Sequence, residues 1–231
     1  PLIDPLSADN LLIFATGPLT GTGTYLGSRY DLITKSPLNN TLTTANSGGF
    51  FGKELKRAGF DAVVISGISD EPAYLWIDNG VAEIRDASPY WGSKVSDTVE
   101  DIEHSLGSPA IEVLCIGPAG ERLSRISSIM NETFRSAGRG GVGAVMGSKR
   151  LKAIAVRGEK KTGVADPERL KELKKTAADV RIGVIKALHN AGSGHPGGSL
   201  SISDVVTALY FNEMNIDPKN PDMKGRDKCV F

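Results

Sequence analysis

Two glycine-rich segments of different character most constrain how this chain can fold. Residues 135–148 mix glycines with arginines, whereas residues 191–199 place one histidine among glycines. Glycines let a backbone approach a ligand closely, and arginines add planar charged groups that match phosphate oxygens. A histidine points to proton handling instead. The chain therefore divides into two parts, 1–160 and 161–231, each with its own candidate site.

The first part consists of short apolar runs separated by Gly, Pro and Asn turns, which is typical of β-strands. Asn79-Gly80 between two runs predicts a tight hairpin, because these residues accept positive φ values. Helices are predicted over residues 52–58 and 95–106, with Ser96 as the N-cap of the second. Strands are predicted at residues 11–15, 30–35, 62–67, 73–78, 81–86, 111–116 and 153–157. The pattern indicates an α+β fold with a sheet-rich first domain.

The composition changes after residue 160 and becomes typical of helices. Asp166-Pro167 predicts a helix start, because an acidic cap followed by proline suits the first turn, and the helix should run towards Leu188 and stop at Gly192. A second helix is predicted over residues 201–215. Its predicted buried face consists of Ile202, Val205, Val206, Leu209 and Tyr210. Apolar faces of this kind are normally covered within a complete domain, so self-association is expected if they are not.

The balance of charge argues against two classes of partner. The chain has 27 basic and 27 acidic side chains, so its formal net charge is zero. Nucleic acids and anionic membranes are recognised by concentrated basic surfaces, and neither is predicted here. The basic run 149–161 is interpreted as the solvated flank of a strand. No apolar run reaches the length of a membrane span and the first residues form no signal peptide, so a cytoplasmic location is expected.

The two cysteines, Cys115 and Cys229, lie far apart in the sequence. Zinc sites and iron–sulfur clusters need closely spaced thiolates, so no metal site is predicted from them. Cys115 lies in the apolar run 111–116 and is interpreted as a buried structural thiol. Free thiols of this kind suit a reducing compartment. The run 229–231 has the composition of a strand, and we expect both ends of the sequence to be cut ends of longer domains.

Three segments of the first part concentrate glycine, arginine and asparagine: residues 17–21 leading to Arg29, residues 45–49, and residues 135–143. Taken singly, each fits an ordinary turn or bulge of a sheet. Taken together, they favour a site for a phosphate-bearing cofactor.

Several segments resemble the aldehyde ferredoxin oxidoreductase family over residues 1–168. They are residues 17–21, 34–38, 45–49, 116–121 and 137–149. The resemblance implies tungsten enzymes in which two pterins hold the metal beside a 4Fe-4S cluster. Such enzymes oxidise aldehydes to carboxylic acids and pass electrons to ferredoxin. The N-terminal domain of the family is the sheet-rich base on which the bis-pterin cofactor rests, with tungsten or molybdenum as the metal.

The same resemblance implies which residues contact the cofactor: Arg29, Asn46, Gly48, Arg135, Ser136, Gly138 and Arg139. Arginines can neutralise pterin phosphates, and Asn46 and backbone groups can pair with the heterocycle. The family's cluster cysteines and later helical domains have no counterpart in this chain, and neither do its opening strands. Residues 1–160 are therefore expected to form a pterin-binding base that does not oxidise an aldehyde alone.

The second part resembles the start of transketolase, over residues 170–231. The resemblance rests on residues 191–201, 209–211 and 214–221. It implies that His195 lies at a thiamine diphosphate site and handles protons during two-carbon transfer between sugars. The family's next histidine and its Gly-Asp-Gly metal motif are not in this chain. Binding of thiamine diphosphate by residues 161–231, a truncated helical segment, is therefore not expected.

Three hypotheses follow. The chain is a fragment of a tungstopterin-dependent aldehyde:ferredoxin oxidoreductase, inactive alone; or it is a transketolase N-terminal fragment; or it is a chimeric product without function. The larger share of the chain supports the first. Whether the chain is an enzyme stays open on the sequence.

Overall fold

The computed structural model describes residues 3–23, 27–108 and 110–228. It divides the chain into two compact units, Pro1–Gly163 and Val164–Phe231. Cys229, the strand expected at residues 229–231 and the first two residues lie outside the described residues.

The first unit contains a four-stranded antiparallel sheet in the order β3-β2-β1-β4. The side chains of Leu12, Phe14 and Leu32 are fully buried on its inner face, because alternate residues of a strand point to the same side. Helix α1, Phe51–Arg57, connects β3 to β4. The strands are β1 Leu12–Thr16, β2 Tyr30–Lys35, β3 Leu42–Ser47 and β4 Ala62–Ile65.

A six-stranded mixed sheet follows in the order β6-β5-β10-β7-β8-β9. The β10 and β5 strands pair in parallel, and the other pairs are antiparallel. The strands are β5 Ala73–Asp78, β6 Val81–Asp86, β7 Glu112–Cys115, β8 Ile129–Asn131, β9 Arg135–Ala137 and β10 Leu151–Arg157. The helices are α2 Val95–Ser105, α3 Pro118–Glu121 and α4 Val142–Ser148, with a 3-10 turn at Ser88–Tyr90.

Two apolar cores hold this unit together. The larger core joins the inner faces of both sheets with α1 and α4, and it includes Phe14, Phe51 and Ile154 of β10. The smaller core lies on the other face of the six-stranded sheet, where α2 covers Trp76 and Cys115. Because β10 is covered on both faces, its sequence shows no polar alternation. The prediction of an α+β, sheet-rich fold is confirmed.

The predicted hairpin is present and the predicted helix cap is not. Asn79 and Gly80 have φ values of 49° and 100° between β5 and β6, as the tight turn requires. Helix α2 is preceded by Lys94, and no side chain caps it. Ser96 lies inside the first turn, where its hydroxyl bonds to Oδ1 of Asp97, 2.8 Å away, and not to the backbone.

The interpretation of residues 149–161 as a solvated flank is wrong at two lysines. Lys152 is fully buried, and its Nζ pairs with the Glu121 carboxylate and donates to the Ser93 carbonyl oxygen, 2.9 Å away. Lys149 is nearly buried and donates to the Gly67 carbonyl oxygen at 3.1 Å. Burial lowers the pKa of Lys149. Each ammonium is tolerated inside because backbone and carboxylate oxygens replace water around it.

The second unit begins with helix α5, Pro167–Ala191. Its Asp166 cap accepts a hydrogen bond from the Arg169 backbone N–H, and it ends at Gly192, which has a φ of 65°. Both predicted ends are therefore confirmed to within a few residues. Helix α6, Pro196–Ala208, starts five residues earlier than predicted, because Pro196 favours the first helical position, and continues as a π-helix over Leu209–Glu213.

The apolar face predicted for α6 is not buried. Val205 is 56% exposed and Tyr210 41% exposed, whereas Ser203 and Thr207 are each 1% exposed. Helix α6 packs against α5. The Ser203 hydroxyl donates to the Ser199 carbonyl oxygen at 2.8 Å, whereas the Thr207 hydroxyl has no hydrogen-bond partner among the described residues. No helix within the described ranges is long and apolar enough to cross a membrane.

Candidate functional site

The candidate site lies where the outer strands of the two sheets meet. Strand β3 is the edge of one sheet and β9 the edge of the other, and the two strands are in contact. Residues 45–49 leave β3 at this point, and residues 135–139 begin in β9. The chain reaches Arg29 just before β2, the neighbour of β3. Two of the three predicted segments therefore meet through the sheets, and Arg29 of the third joins them.

Asn46 is the centre of a hydrogen-bond network. Its Oδ1 accepts two hydrogen bonds from the Arg29 guanidinium. One comes from Nε at 2.6 Å, and the other comes from a terminal nitrogen of the same group. Its Nδ2 donates to Asp31 Oδ1 at 3.0 Å and to the Tyr30 carbonyl oxygen at 3.2 Å. This network fixes the Arg29 guanidinium above the sheet edge, because a doubly anchored planar group loses most of its rotational freedom.

Gly48 lies between two arginines. A Cβ atom at this position would be 3.5 Å from a terminal guanidinium nitrogen of Arg29 and 3.7 Å from one of Arg135. Any longer side chain would enter the space between the two charges. The glycine thus leaves a small cradle, lined on two sides by permanent cations, that an anionic group can enter.

Glu132 holds Arg135 in this position. Its Oε2 accepts from Arg135 Nε at 3.0 Å, and its Oε1 accepts from the Phe50 backbone N–H. Arg135 also lies over the Phe134 ring, with 5.6 Å between the guanidinium carbon and the ring centroid. Glu132 has a φ of 51°, because it forms the turn between β8 and β9. The carboxylate therefore ties the arginine to the loop that carries Gly48.

Asn131 connects the same two segments from inside. It is fully buried, and its Nδ2 donates to the Gly48 carbonyl oxygen at 2.8 Å. Its Oδ1 is buried without a hydrogen-bond partner among the described residues. Asn131 and Glu132 were not predicted as site residues from the sequence. Their polarity directly before Arg135, at a turn, is the signal that indicates a supporting role.

The remaining predicted residues follow Arg135 along the chain. Ser136 and Arg139 are exposed, and a Cβ on Gly138 would be 3.2 Å from Ser136 Oγ. Within the described part of the chain, no hydrogen bond joins these three to Arg29 or Asn46. The structure brings together Arg29, Asn46, Gly48 and Arg135, and it leaves Ser136, Gly138 and Arg139 on the adjoining surface.

One carboxyl group near the site, that of Glu112, has an unusual pKa. The pKa of Glu112 is raised to about 7, because the side chain is largely desolvated and because the charges of Glu132, Glu54 and Glu103 oppose its ionisation. Glu132 itself is 13% exposed and paired with Arg135. A proton on Glu112 therefore lessens repulsion of the carboxylate that holds the arginine.

Metal-ligating side chains do not cluster in the described residues: no group of three or more His, Cys, Asp or Glu is placed to hold an ion. Cys115 is fully buried and reduced. Burial raises the pKa of its thiol to about 12, so the thiol stays protonated and unreactive. The prediction of a buried Cys115 is confirmed.

His195 belongs to the second unit. It is the residue before the first turn of α6, its backbone is extended with a φ of −111°, and its side chain is exposed and makes no capping bond. The imidazole thus stands at a helix start with access to solvent.

This geometry defines a sheet-rich domain with two arginines at one edge, and the comparisons with known proteins identify its family. Residues 1–158 match the family described as aldehyde ferredoxin oxidoreductase, N-terminal domain. The chain belongs to this family. Residues 173–231 match the transketolase, thiamine diphosphate binding domain. The expected two-part organisation is confirmed.

Individual relatives agree with both matches. The tungsten-containing aldehyde ferredoxin oxidoreductase of Pyrococcus furiosus is 54% identical over 169 residues, which cover 73% of this chain and 28% of the relative. The 6-deoxy-6-sulfo-D-fructose transketolase subunit of a Clostridium species is 43% identical over 60 residues, 26% of this chain and 22% of the relative. This chain therefore matches well under half the length of these curated relatives.

A solved structure shares the fold. The active-site complex BamBC of benzoyl coenzyme A reductase, solved with 1,5-dienoyl-CoA, superposes with a TM-score of 0.76 and 41% identity. The superposition covers 80% of this chain and 28% of that chain.

Proposed function

We propose that residues 1–160 form the cofactor-binding base of a tungstopterin-dependent aldehyde:ferredoxin oxidoreductase. One observation carries this proposal: the guanidinium groups of Arg29 and Arg135 lie on either side of Gly48, with Asn46 anchored beside them. A pterin cofactor combines a charged phosphate with a heterocycle rich in donors and acceptors, and this surface offers partners for both.

The residues present fit such a group. The cradle at Gly48 admits an anionic oxygen between two cations, and the orphaned Oδ1 of Asn131 leaves an acceptor in the supporting layer. In this proposal Arg29 and Arg135 neutralise phosphate, and Asn46 orients the cofactor. Ser136, Gly138 and Arg139 supply further backbone and charged contacts from the adjoining surface.

When bound, a tungsten or molybdenum bis-pterin supplies the redox chemistry that converts an aldehyde to a carboxylic acid. The contribution of this chain is to hold the cofactor in one orientation and to balance its charge. Electrons would pass to ferredoxin through an iron–sulfur cluster, as the family implies. Because the chain has two widely separated cysteines, the cluster ligands must come from elsewhere, and turnover by this chain alone is not expected. A free thiol at Cys115 suits a cytoplasmic location.

The test is cofactor retention in a host that makes tungsten or molybdenum pterins. Tungsten, molybdenum and released pterin are measured in the purified chain and in the Arg29→Ala, Arg135→Ala double variant. Arg85→Ala is the matched control, since Arg85 is an exposed arginine paired with Glu83 on β6. We expect metal and pterin in the parent and the control, and loss of both in the double variant. Equal retention in all three chains would refute the proposal.

A second candidate function rests on the second unit. The match of residues 173–231 to transketolase favours a role for His195 in two-carbon transfer with thiamine diphosphate. The solvent-accessible imidazole at the start of α6 fits proton handling. The discriminating experiment is titration with thiamine diphosphate and Mg²⁺: saturable binding that His195→Ala weakens supports this candidate, and no binding rejects it for this chain.

A further inference from the structure

A cavity of about 530 Å³ opens on the first unit between residues 21–23 and 27–28, helix α1 and the segment that follows β10. Its lining includes four basic side chains, which are Lys53, Arg57, Lys160 and Lys161. Among the described residues that line it, none is an aspartate or a glutamate. The volume lies within the range of small-molecule sites.

The fold forces these cations together. Lys53 and Arg57 are four residues apart in α1 and share a face of the helix. The chain leaving β10 is pressed onto the end of α1 at Gly158, where a Cβ would be 2.0 Å from the Ala58 backbone nitrogen. The backbone N–H of Lys160 donates to the Arg57 carbonyl oxygen at 3.0 Å. Lys160 and Lys161 therefore lie close to the face of α1 that carries Lys53 and Arg57.

Ordinary stabilisation accounts for only part of this cluster. Basic residues at the end of a helix interact favourably with its dipole, and Arg57 also pairs with Glu54, 2.9 Å away. Lys53 lies a turn earlier, and the described residues include no salt bridge to Lys53, Lys160 or Lys161. Like charges four residues apart destabilise a helix. Lys53 interacts with the Glu112 carboxyl without forming a salt bridge, and no aspartate or glutamate among the described residues lines the cavity. The basic side chains therefore leave a local excess of positive charge that favours an anionic ligand.

Polar groups that are not charged also face this cavity. Ser28 and Thr162 are among the lining residues. The Thr162 hydroxyl is buried without a hydrogen-bond partner among the described residues, and it lies against Gly21, where a Cβ would be only 2.4 Å away. A hydroxyl without a partner beside ammonium groups without salt bridges is a combination that favours an oxyanion.

We propose that this cavity binds a small molecule bearing a phosphate or diphosphate group. A multiply charged oxyanion matches several clustered basic side chains better than a single carboxylate does, because each charge-assisted contact adds separately. The phosphate could belong to a free metabolite or to the end of a cofactor that extends from the site at Gly48. Both sources present the same chemistry to Lys53 and Lys161.

The test is isothermal titration of the cofactor-free full chain with inorganic pyrophosphate at low ionic strength. The Lys53→Ala, Lys161→Ala double variant should bind pyrophosphate about tenfold more weakly or worse. Lys56→Ala is the matched control, because Lys56 is in the same helix but pairs with Asp61, and it should change the affinity less than about twofold. Lys53→Gln, Lys161→Gln repeats the test with longer polar side chains should the alanine variant fold poorly.

Three results would overturn the proposal. One is an absence of saturable pyrophosphate binding, the second is an equal loss in Lys56→Ala, and the third is a loss confined to the Arg29→Ala, Arg135→Ala variant. The source of the phosphate follows from cofactor content in the pterin-producing host. A lysine variant that keeps its tungsten and pterin indicates a free metabolite, whereas one that loses them indicates the cofactor's own phosphate.

Discussion

Single carboxylates hold two of the cations in the first unit in place. Glu132 fixes Arg135 at the candidate site, and Glu121 compensates the buried Lys152 in the centre of the larger sheet. Glu112 differs, because its pKa is raised to about 7 by desolvation and by the charges of Glu132, Glu54 and Glu103. It is the residue at which the stability of the first unit should depend on pH near neutrality.

Replacing Glu112 by glutamine should stabilise the protein in alkaline but not in acidic solution. A carboxyl whose folded pKa exceeds its ordinary value of 4.5 contributes its full stability below that value and loses it as the pH rises through about 7. Glutamine mimics the protonated form at every pH. We expect the thermal midpoint of Glu112→Gln to exceed that of the parent by about 2 °C at pH 8, and to equal it at pH 4.

The matched control for this pH dependence is Glu71→Gln. Glu71 is an exposed carboxylate in the chain segment that connects β4 to β5. It should shift the midpoint equally little at both pH values. A Glu112→Gln midpoint that differs from the parent by the same amount at pH 4 and pH 8 would contradict the assigned charge state.

Some single residues were predictable from the sequence and others were not. The grouping of Arg29, Asn46, Gly48 and Arg135 followed from family resemblance, and the structure places these four together. Asn131 and Glu132 were missed, since their role arises from a turn that brings them under Gly48. The burial of Lys152 was also missed, because its partner Glu121 is 31 residues away and no local pattern connects the two.

At the scale of elements, the glycine-rich segment at residues 135–148 is mostly a strand and a helix. Helix α4 carries its glycines where neighbouring backbone passes too close for a side chain. A Cβ on Gly147 would be 2.1 Å from the Gly120 carbonyl oxygen, and one on Gly143 would be 2.6 Å from the Ser128 carbonyl oxygen. These glycines therefore serve packing, while Gly138 stays at the surface.

Gly147→Ala should destabilise the first unit strongly. The new methyl group meets the backbone of Gly120, which cannot move without displacing α3. We therefore expect the free energy of unfolding to fall by about 1–3 kcal/mol or more. Urea denaturation followed by tryptophan fluorescence reports on this unit, because Trp76 and Trp91 both belong to it.

Gly183→Ala provides the opposite case within the same chain. Gly183 lies in the interior of α5, and a Cβ there would meet no atom within 4 Å. Alanine should stabilise this helix by about 1 kcal/mol, measured by far-ultraviolet circular dichroism. If Gly147→Ala proves as harmless as Gly183→Ala, the close packing of α3 and α4 is not as described.

Element prediction succeeded where hydrophobic pattern and caps agreed. Helix α5 has both a proline start and a glycine stop, and residues 153–156 of β10 are a continuous apolar run. Strand β3, with the sequence LTTANS, was missed because its exposed face is polar and it offers little apolar alternation. Helix α4 was missed because its glycines resemble a loop until the close approach of α3 is known.

At the scale of the whole molecule, two units that match different families share one chain. The first belongs to the aldehyde ferredoxin oxidoreductase family and the second matches the start of transketolase. Apolar side chains of the second unit remain exposed, among them Ile182 at 52%, Val205 at 56% and Phe211 at 54%. Self-association through this unit is a proposal that follows from the exposed apolar area.

The central claim is that the cradle at Gly48 receives the pterin cofactor. The most direct measurement is the tungsten and pterin content of Gly48→Val, which fills the space between Arg29 and Arg135 without an unfavourable φ or a backbone clash. Gly163→Val is the matched control, because a Cβ there meets nothing within 4 Å. We predict that Gly48→Val keeps the parent's thermal midpoint but loses metal and pterin, while Gly163→Val keeps both. A folded Gly48→Val that retains the parent's cofactor content would contradict the account.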